Sequence, residues 1–129
     1  MSNNNKKVLF MDDDPIIQEV ITDLLCNFDF EVIVAKEGSE AINLYKTAKK
    51  ESKPFDAVIL DLSVKEGMDG EETIRQLKEY DPNIKAIIAS GYVDKPAIQN
   101  YQAYGFKGVI VKPYKIEELS KLLNKIIEE

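Results

Sequence analysis

Val8-Leu9-Phe10-Met11-Asp12-Asp13-Asp14-Pro15 is the stretch that decides the fold. Its apolar residues run without alternation, the pattern of a short strand buried on both faces. The acidic triplet closes that strand, and Asp14-Pro15 opens a helix. A carboxylate at the cap accepts free first-turn amides, and proline suits the first helical position. Ile16, Ile17, Val20, Ile21, Leu24, Leu25 and Phe28 follow on two adjacent i, i+4 rows, which form one apolar stripe for packing on a sheet. Strand, charged strand end and amphipathic helix together make a βα unit.

The unit recurs along the chain. Val32 to Ala35, Ala57 to Leu60, Ala86 to Ala89 and Val109 to Val111 are further short, continuous apolar runs. Helical spacing follows each of them. Ala41, Ile42, Leu44, Tyr45 and Ala48 predict a helix from near Ser39 to Lys49-Lys50, where cations favour the negative end of the helix dipole. Glu71-Glu72, Ile74 and Leu77 predict another after Gly70, and a fourth is expected from about Pro96 to Tyr104, before Gly105. Ile116, Leu119, Leu122, Leu123, Ile126 and Ile127 give the last, amphipathic almost to the C-terminus. Five strands alternating with five helices predict an α/β, doubly wound, five-stranded parallel sheet with helices on both faces.

Composition narrows the function. The 129 residues contain no Pro/Gly/Ser-rich linker, so a single domain over 7–129 is expected behind a disordered tail at 1–6. A formal net charge of −6 argues against a nucleic-acid backbone or an anionic membrane surface as direct partner. No apolar run approaches the roughly 18 residues of a membrane span, and the polar N-terminus lacks the apolar centre of a signal peptide. The single cysteine, Cys26, cannot form an internal disulfide; its apolar helical surroundings predict a packed core thiol, and the cytoplasm is the expected compartment. The chain has no histidine, which removes histidine zinc sites, Ser-His-Asp and Cys-His triads, and imidazole bases. Chemistry here must use carboxylates, hydroxyls and lysines.

In doubly wound sheets, ligands bind beyond the carboxyl ends of the strands. Those ends carry Asp12, Asp13 and Asp14 after the first run, Lys36 and Glu37 after the second, Asp61 after the third, Ser90 after the fourth and Lys112 after the fifth. Taken singly, each has an ordinary reading: turn aspartates, a helix cap at Asp14, a turn serine before Gly91, an exposed lysine before Pro113. Their shared position at one end of the sheet favours a site. If the first and third strands are neighbours, Asp12, Asp13 and Asp61 converge. Carboxylates about 4 Å apart repel by about 4 kcal/mol at an effective dielectric of about 20, so a cation or a raised pKa must intervene. Lys112 supplies one charge, and a hard divalent ion such as Mg²⁺, with phosphate oxygens completing its shell, supplies the rest. The same set suits phosphoryl transfer, with Asp61 as nucleophile and Lys112 offsetting developing charge.

The sequence resembles the receiver domain of two-component response regulators from Lys7 to Ile127. The resemblance is carried by Val8 to Pro15, Val58-Ile59-Leu60-Asp61-Leu62, Met68-Asp69-Gly70, Ala89-Ser90-Gly91-Tyr92 and Val111-Lys112-Pro113-Tyr114. It implies a flavodoxin-like sheet of strand order 2-1-3-4-5. It also implies that Asp61 takes a phosphoryl group from a phosphohistidine on a sensor histidine kinase or histidine phosphotransfer protein. Mg²⁺ would be held by Asp13, Asp61 and the main-chain carbonyl of Ser63, with Asp12 acting through water or directly. Lys112 would pair with the phosphoryl oxygens. Ser90 would donate its hydroxyl to one of them, shifting the surface of helix four, strand five and helix five toward a downstream protein target. Ser63 and Tyr92 would set the rate of hydrolysis, the Tyr92 ring shielding the phosphoryl group, and Lys112-Pro113 would be cis. The chain is also similar to receivers fused behind hybrid sensor kinases.

The loop 63–70 departs from the common form in being one residue longer, with Lys65 where many members carry proline. Val109 stands where a switch aromatic is common, and Tyr92 or Tyr114 is the alternative reporter. Three rival readings stand beside this one. A phosphohydrolase with an aspartyl-phosphate intermediate would want a second aspartate where Ser63 lies. A flavin binder would want a Ser/Thr/Gly-rich loop where the acidic triplet lies. A degenerate receiver serving only as an interaction module is the third.

Overall fold

The computed structural model describes residues 5–129. Strands β1 (Lys6–Met11), β2 (Phe30–Ala35), β3 (Ala57–Asp61), β4 (Ala86–Ser90) and β5 (Gly108–Val111) alternate with α1 (Pro15–Cys26), α2 (Gly38–Lys50), α3 (Gly70–Tyr80), α4 (Pro96–Gln99) and α5 (Ile116–Glu128). Every pairing is parallel, in the order β2-β1-β3-β4-β5. This is the doubly wound sheet that the alternating runs predict.

Side chains alternate across a strand, so each central strand feeds two cores. β1 sends Leu9 and Met11 to one face and Val8 and Phe10 to the other; β3 divides Val58 and Leu60 from Ala57 and Ile59. Ala41, Tyr45, Ile74 and Leu77 of α2 and α3 cover the first face. Ile21, Leu25, Leu119 and Leu123 of α1 and α5 cover the second. Burial on both sides is the reason these strands read as unbroken apolar runs. The chain leaves β1 for β2 on one side and crosses back to β3 on the other, so the crevice of the order reversal lies above β1 and β3. Met11 pairs with Leu60 in register, which sets the residues just beyond them side by side.

Several expectations need correction. The α1 stripe is wider than the surface that receives it: Ile17 packs beside buried Ile21 and Leu25, whereas Ile16, Val20 and Leu24 are 71%, 45% and 36% exposed. Successive helical residues are about 100° apart, so the row one residue earlier turns away from the sheet. Cys26, expected to be a packed thiol, is exposed for the same reason, one step past Leu25 on the other side. The fourth helix is one turn, not the stretch to Tyr104. Asn100 leaves helical geometry at φ −120° and ψ 42°, and 100–105 continue as turns, with Ala103, Tyr104 and Gly105 amides donating three residues back. Lys6, assigned to the tail, is the first residue of β1, and its amide donates to the Asp29 carbonyl. Of the rest of the expected tail, Asn5 precedes the strand without regular structure, and residues 1–4 lie outside the described residues.

Candidate functional site

Asp12 follows β1 and Asp61 ends β3, and both are 1% exposed at the crevice. Asp13 joins them, and one carboxylate oxygen from each of the three lies within 4.8 Å of the others. They line an open cavity of about 500 Å³ together with Ser63, Lys65 and Lys112. The local chain explains the placement. Asp14 caps α1 by accepting the Ile16 and Ile17 amides, so the helix turns away immediately and leaves Asp12 and Asp13 at the strand mouth. Gly70 sits so close to the end of β3 that an added Cβ would lie 2.5 Å from the Asp61 carbonyl oxygen. Asp69 caps α3 through the Glu72 amide.

Lys112 Nζ donates to Asp61 Oδ2 at 3.0 Å and lies 3.3 Å from Asp12 Oδ2. Its peptide bond to Pro113 is cis, as the resemblance implied. The other oxygen of Asp61 accepts the Ser63 amide at 3.1 Å. Burial pushes the Asp61 carboxyl above the ordinary carboxylate range, Lys112 pulls it back, and Asp12 adds to the rise. Burial works against the Lys112 charge, but Asp61 and then Asp12 outweigh it and hold the ammonium above its usual value. The three clustered carboxylates are met by the ammonium of Lys112 alone among the described ion pairs, which leaves an excess of negative charge in a space lined by oxygen donors. That donor set fits a hard divalent cation and not a soft one.

Asp12, Asp13, Asp61, Ser63 and Lys112 are therefore brought together as predicted. Ser90 is not among them. It is buried at the end of β4, but its hydroxyl donates to the Tyr92 carbonyl and accepts the Tyr92 amide, each at 3.0 Å. The Tyr92 ring, expected to shield a phosphoryl group, is 60% exposed, with the Lys95 ammonium 5.6 Å from its centroid. Val109 packs with Tyr101 and Tyr104 against the first core. Lys36 and Glu37 stay outside the acidic cluster: Glu37 caps α2, and the Lys36 amide donates to Glu40.

Two contacts were not foreseen. Tyr114 donates its hydroxyl to Asp12 Oδ2 at 3.3 Å, with its ring edge-on to Phe10 at 5.6 Å. Its position two residues past Lys112 was a usable signal. Gln18 donates to the Asp12 carbonyl at 2.6 Å, one turn into α1.

Comparison with known proteins agrees with this geometry. The response regulator receiver domain family matches residues 8–124. A chemotaxis protein CheY of Thermotoga maritima is 32% identical over 122 residues, covering 94% of this chain and 97% of the relative. A receiver domain protein of Clostridium thermocellum superposes with a TM-score of 0.82 at 25% identity, covering 95% of this chain and 94% of that one. A response regulator of Thermotoga maritima solved in complex with Mg²⁺ and BeF does so at 0.78 and 26% identity, covering 94% and 98%. Matches of this extent, on a sheet whose strand ends carry an acidic cluster and a lysine, make the chain a member of the response regulator receiver domain family of two-component signalling.

Proposed function

We propose that Asp61 accepts a phosphoryl group from the phosphohistidine of a sensor histidine kinase or histidine phosphotransfer protein. The observation that carries this is the position of its carboxylate at the end of β3, between the Lys112 ammonium and the Asp12–Asp13 pair. An Asp61 oxygen attacks phosphorus, the bond from phosphorus to the donor nitrogen breaks, and the nitrogen leaves with its electron pair. Burial gives the attacking oxygen few water contacts to shed. Lys112 stays within reach of the transferred oxygens and offsets their charge.

The residues fit Mg²⁺, the ion with which the Thermotoga maritima response regulator was solved: here Asp13, Asp61 and the Ser63 main-chain carbonyl would hold it, with Asp12 reaching it directly or through water. Bound there, the ion would supply positive charge to offset that of the acceptor and phosphoryl oxygens. Tyr114 and Lys112 keep Asp12 in place. The chain's own catalysis is confined to this transfer and to the later hydrolysis of its acyl phosphate.

Phosphorylation offers Ser90 a better acceptor than the Tyr92 carbonyl. Turning toward it gives up both Tyr92 bonds and draws in the loop before the one-turn α4. Tyr92, Val93 and Val111 are exposed around that loop, a surface through which a downstream protein would read the change. On the other side of the mouth, Pro15 and Ile17 line the cavity and continue into the exposed row Ile16, Val20 and Leu24, where a donor protein would settle. The test is incubation with Mg²⁺ and acetyl phosphate followed by intact mass. Wild type should gain one phosphoryl mass and Asp61→Asn none. No gain on wild type, under conditions that label a control receiver, refutes the assignment.

A further inference from the structure

The loop 63–70 carries Lys65 in place of the common proline, and it is pinned at two points. The Lys65 amide donates to Asp13 Oδ2 at 2.9 Å, a bond that proline cannot make because it has no N–H. Further along, the Met68 amide donates to Glu37 Oε1 at 3.1 Å, and the Gly38 amide donates back to the Met68 carbonyl at 2.8 Å. Glu37 is itself anchored, since its carboxylate also accepts the Ser39 and Glu40 amides at 2.9 and 3.1 Å. The chain passes so close that a Cβ on Gly67, at φ +97°, would lie 2.6 Å from Glu37 Cγ. Only glycine meets both demands without strain.

A metal-ligating carboxylate is oriented by what its other oxygen bonds. Here the orienting donor rides on the same loop that presents Ser63, so one loop positions two groups of the site. We propose that the Lys65 main-chain amide is a positioning group for the metal site. It fixes Asp13 through Oδ2, while Glu37 fixes the loop through Met68. This rests on the assignment of Asp13 as a metal ligand made above. The contribution of position 65 is its N–H and not its ammonium.

The experiment is calorimetric titration of the full chain with Mg²⁺ for wild type, Lys65→Pro and Lys65→Ala, alongside acetyl phosphate labelling of wild type. Lys65→Pro should bind Mg²⁺ about 10-fold more weakly than wild type, and Lys65→Ala, which keeps the N–H, should recover most of that loss. Equal affinities for the proline variant and wild type, or equal losses in both variants, overturn the proposal. Amide hydrogen exchange on wild type needs no variant: Lys65 should stay protected when Mg²⁺ is added. Loss of protection would mean that Asp13 leaves the amide for the metal, and the proposal fails. A wild type that labels while Lys65→Pro binds normally sinks the clamp alone, whereas a wild type that does not label sinks the acceptor assignment.

Discussion

Asp61→Asn should make the protein more stable at neutral pH when magnesium is withheld, because the acceptor carboxylate is held in place at an electrostatic cost. Asp12 and Asp13 each offer an oxygen within 4.8 Å of Asp61. At an effective dielectric of about 20, each such pair repels by about 3–4 kcal/mol, while Lys112 at 3.0 Å attracts by about 5–6 kcal/mol. The charges therefore come close to balance, and desolvation of the buried carboxylate, the largest influence on it, sets the sign: Lys112 opposes it, Asp12 adds to it, and a net cost of roughly 1–2 kcal/mol remains, trimmed by the partial exposure of Asp13 and Lys112. Asparagine keeps the shape, but its one carbonyl can hold either the Lys112 or the Ser63 bond while its amide nitrogen faces the other donor, so the gain stays at or below this cost. A gain of about 1–2 kcal/mol corresponds to a rise in Tm of about 3–8 °C. The sign follows from linkage. The folded state binds the Asp61 proton more tightly than the unfolded chain, so this carboxyl's contribution is most favourable below the ordinary carboxylate range. It declines as pH rises through the raised value, then levels off. Asp61→Asn lacks that decline. Circular dichroism melts in chelator and low salt, between about pH 4 and 8, should show the gap opening with pH. Saturating Mg²⁺ should close it by stabilising wild type. An asparagine variant less stable than wild type at neutral pH, or a gap indifferent to pH, refutes the reasoning.

Gly70→Ala should cost about 1–3 kcal/mol in urea unfolding and slow acetyl phosphate labelling, because its Cβ would press the Asp61 carbonyl from 2.5 Å; a wild-type midpoint would deny the close approach. Asp81 joins α2 to α3 by accepting Tyr45 Oη at 2.7 Å and Lys49 Nζ at 2.8 Å. Burial pushes its carboxyl up, but Lys49 and Tyr45 outweigh this and hold it below the ordinary range. Its contribution is therefore present above the ordinary carboxylate pH and is lost as pH falls through the depressed value. Asp81→Asn should cost about 0.5–1 kcal/mol, discounted for the half-exposed Lys49, and flatten the acid limb of the stability profile. Val20→Ser, on the exposed row of α1, should change stability by no more than about 0.5 kcal/mol yet slow transfer from a phosphohistidine donor, leaving acetyl phosphate labelling intact.

The sheet was legible because β1, β3 and β4 are buried on both faces, a condition that forces continuous apolar runs and leaves their first polar residues conspicuous. Asp12, Asp61 and Lys112 could be found that way, since their chemistry requires particular residue types at strand ends. Other features escaped for separate physical reasons. Periodicity showed that α1 has two apolar rows but not that the sheet covers one, which left Cys26 and Val20 misplaced. The end of α4 depends on Asn100 leaving helical geometry, a weak local preference with no glycine or proline to announce it. The Ser90 hydroxyl turns to whichever partners are nearest, and the Lys65 donor is backbone, which no pattern of residue types records. What was legible and what was not divide along a mechanical line. The acceptor rests on strands whose opening would expose the core, whereas the segments beside it, the loop after Ser90 and the loop 63–70, are held by a few hydrogen bonds and, after β4, by a single helical turn. Elements of low local stability can exchange partners without global unfolding. Under the proposed reading, one phosphoryl group added at Asp61 would recruit Ser90 and move the loop after it while β3, which carries the charge, stays where it is.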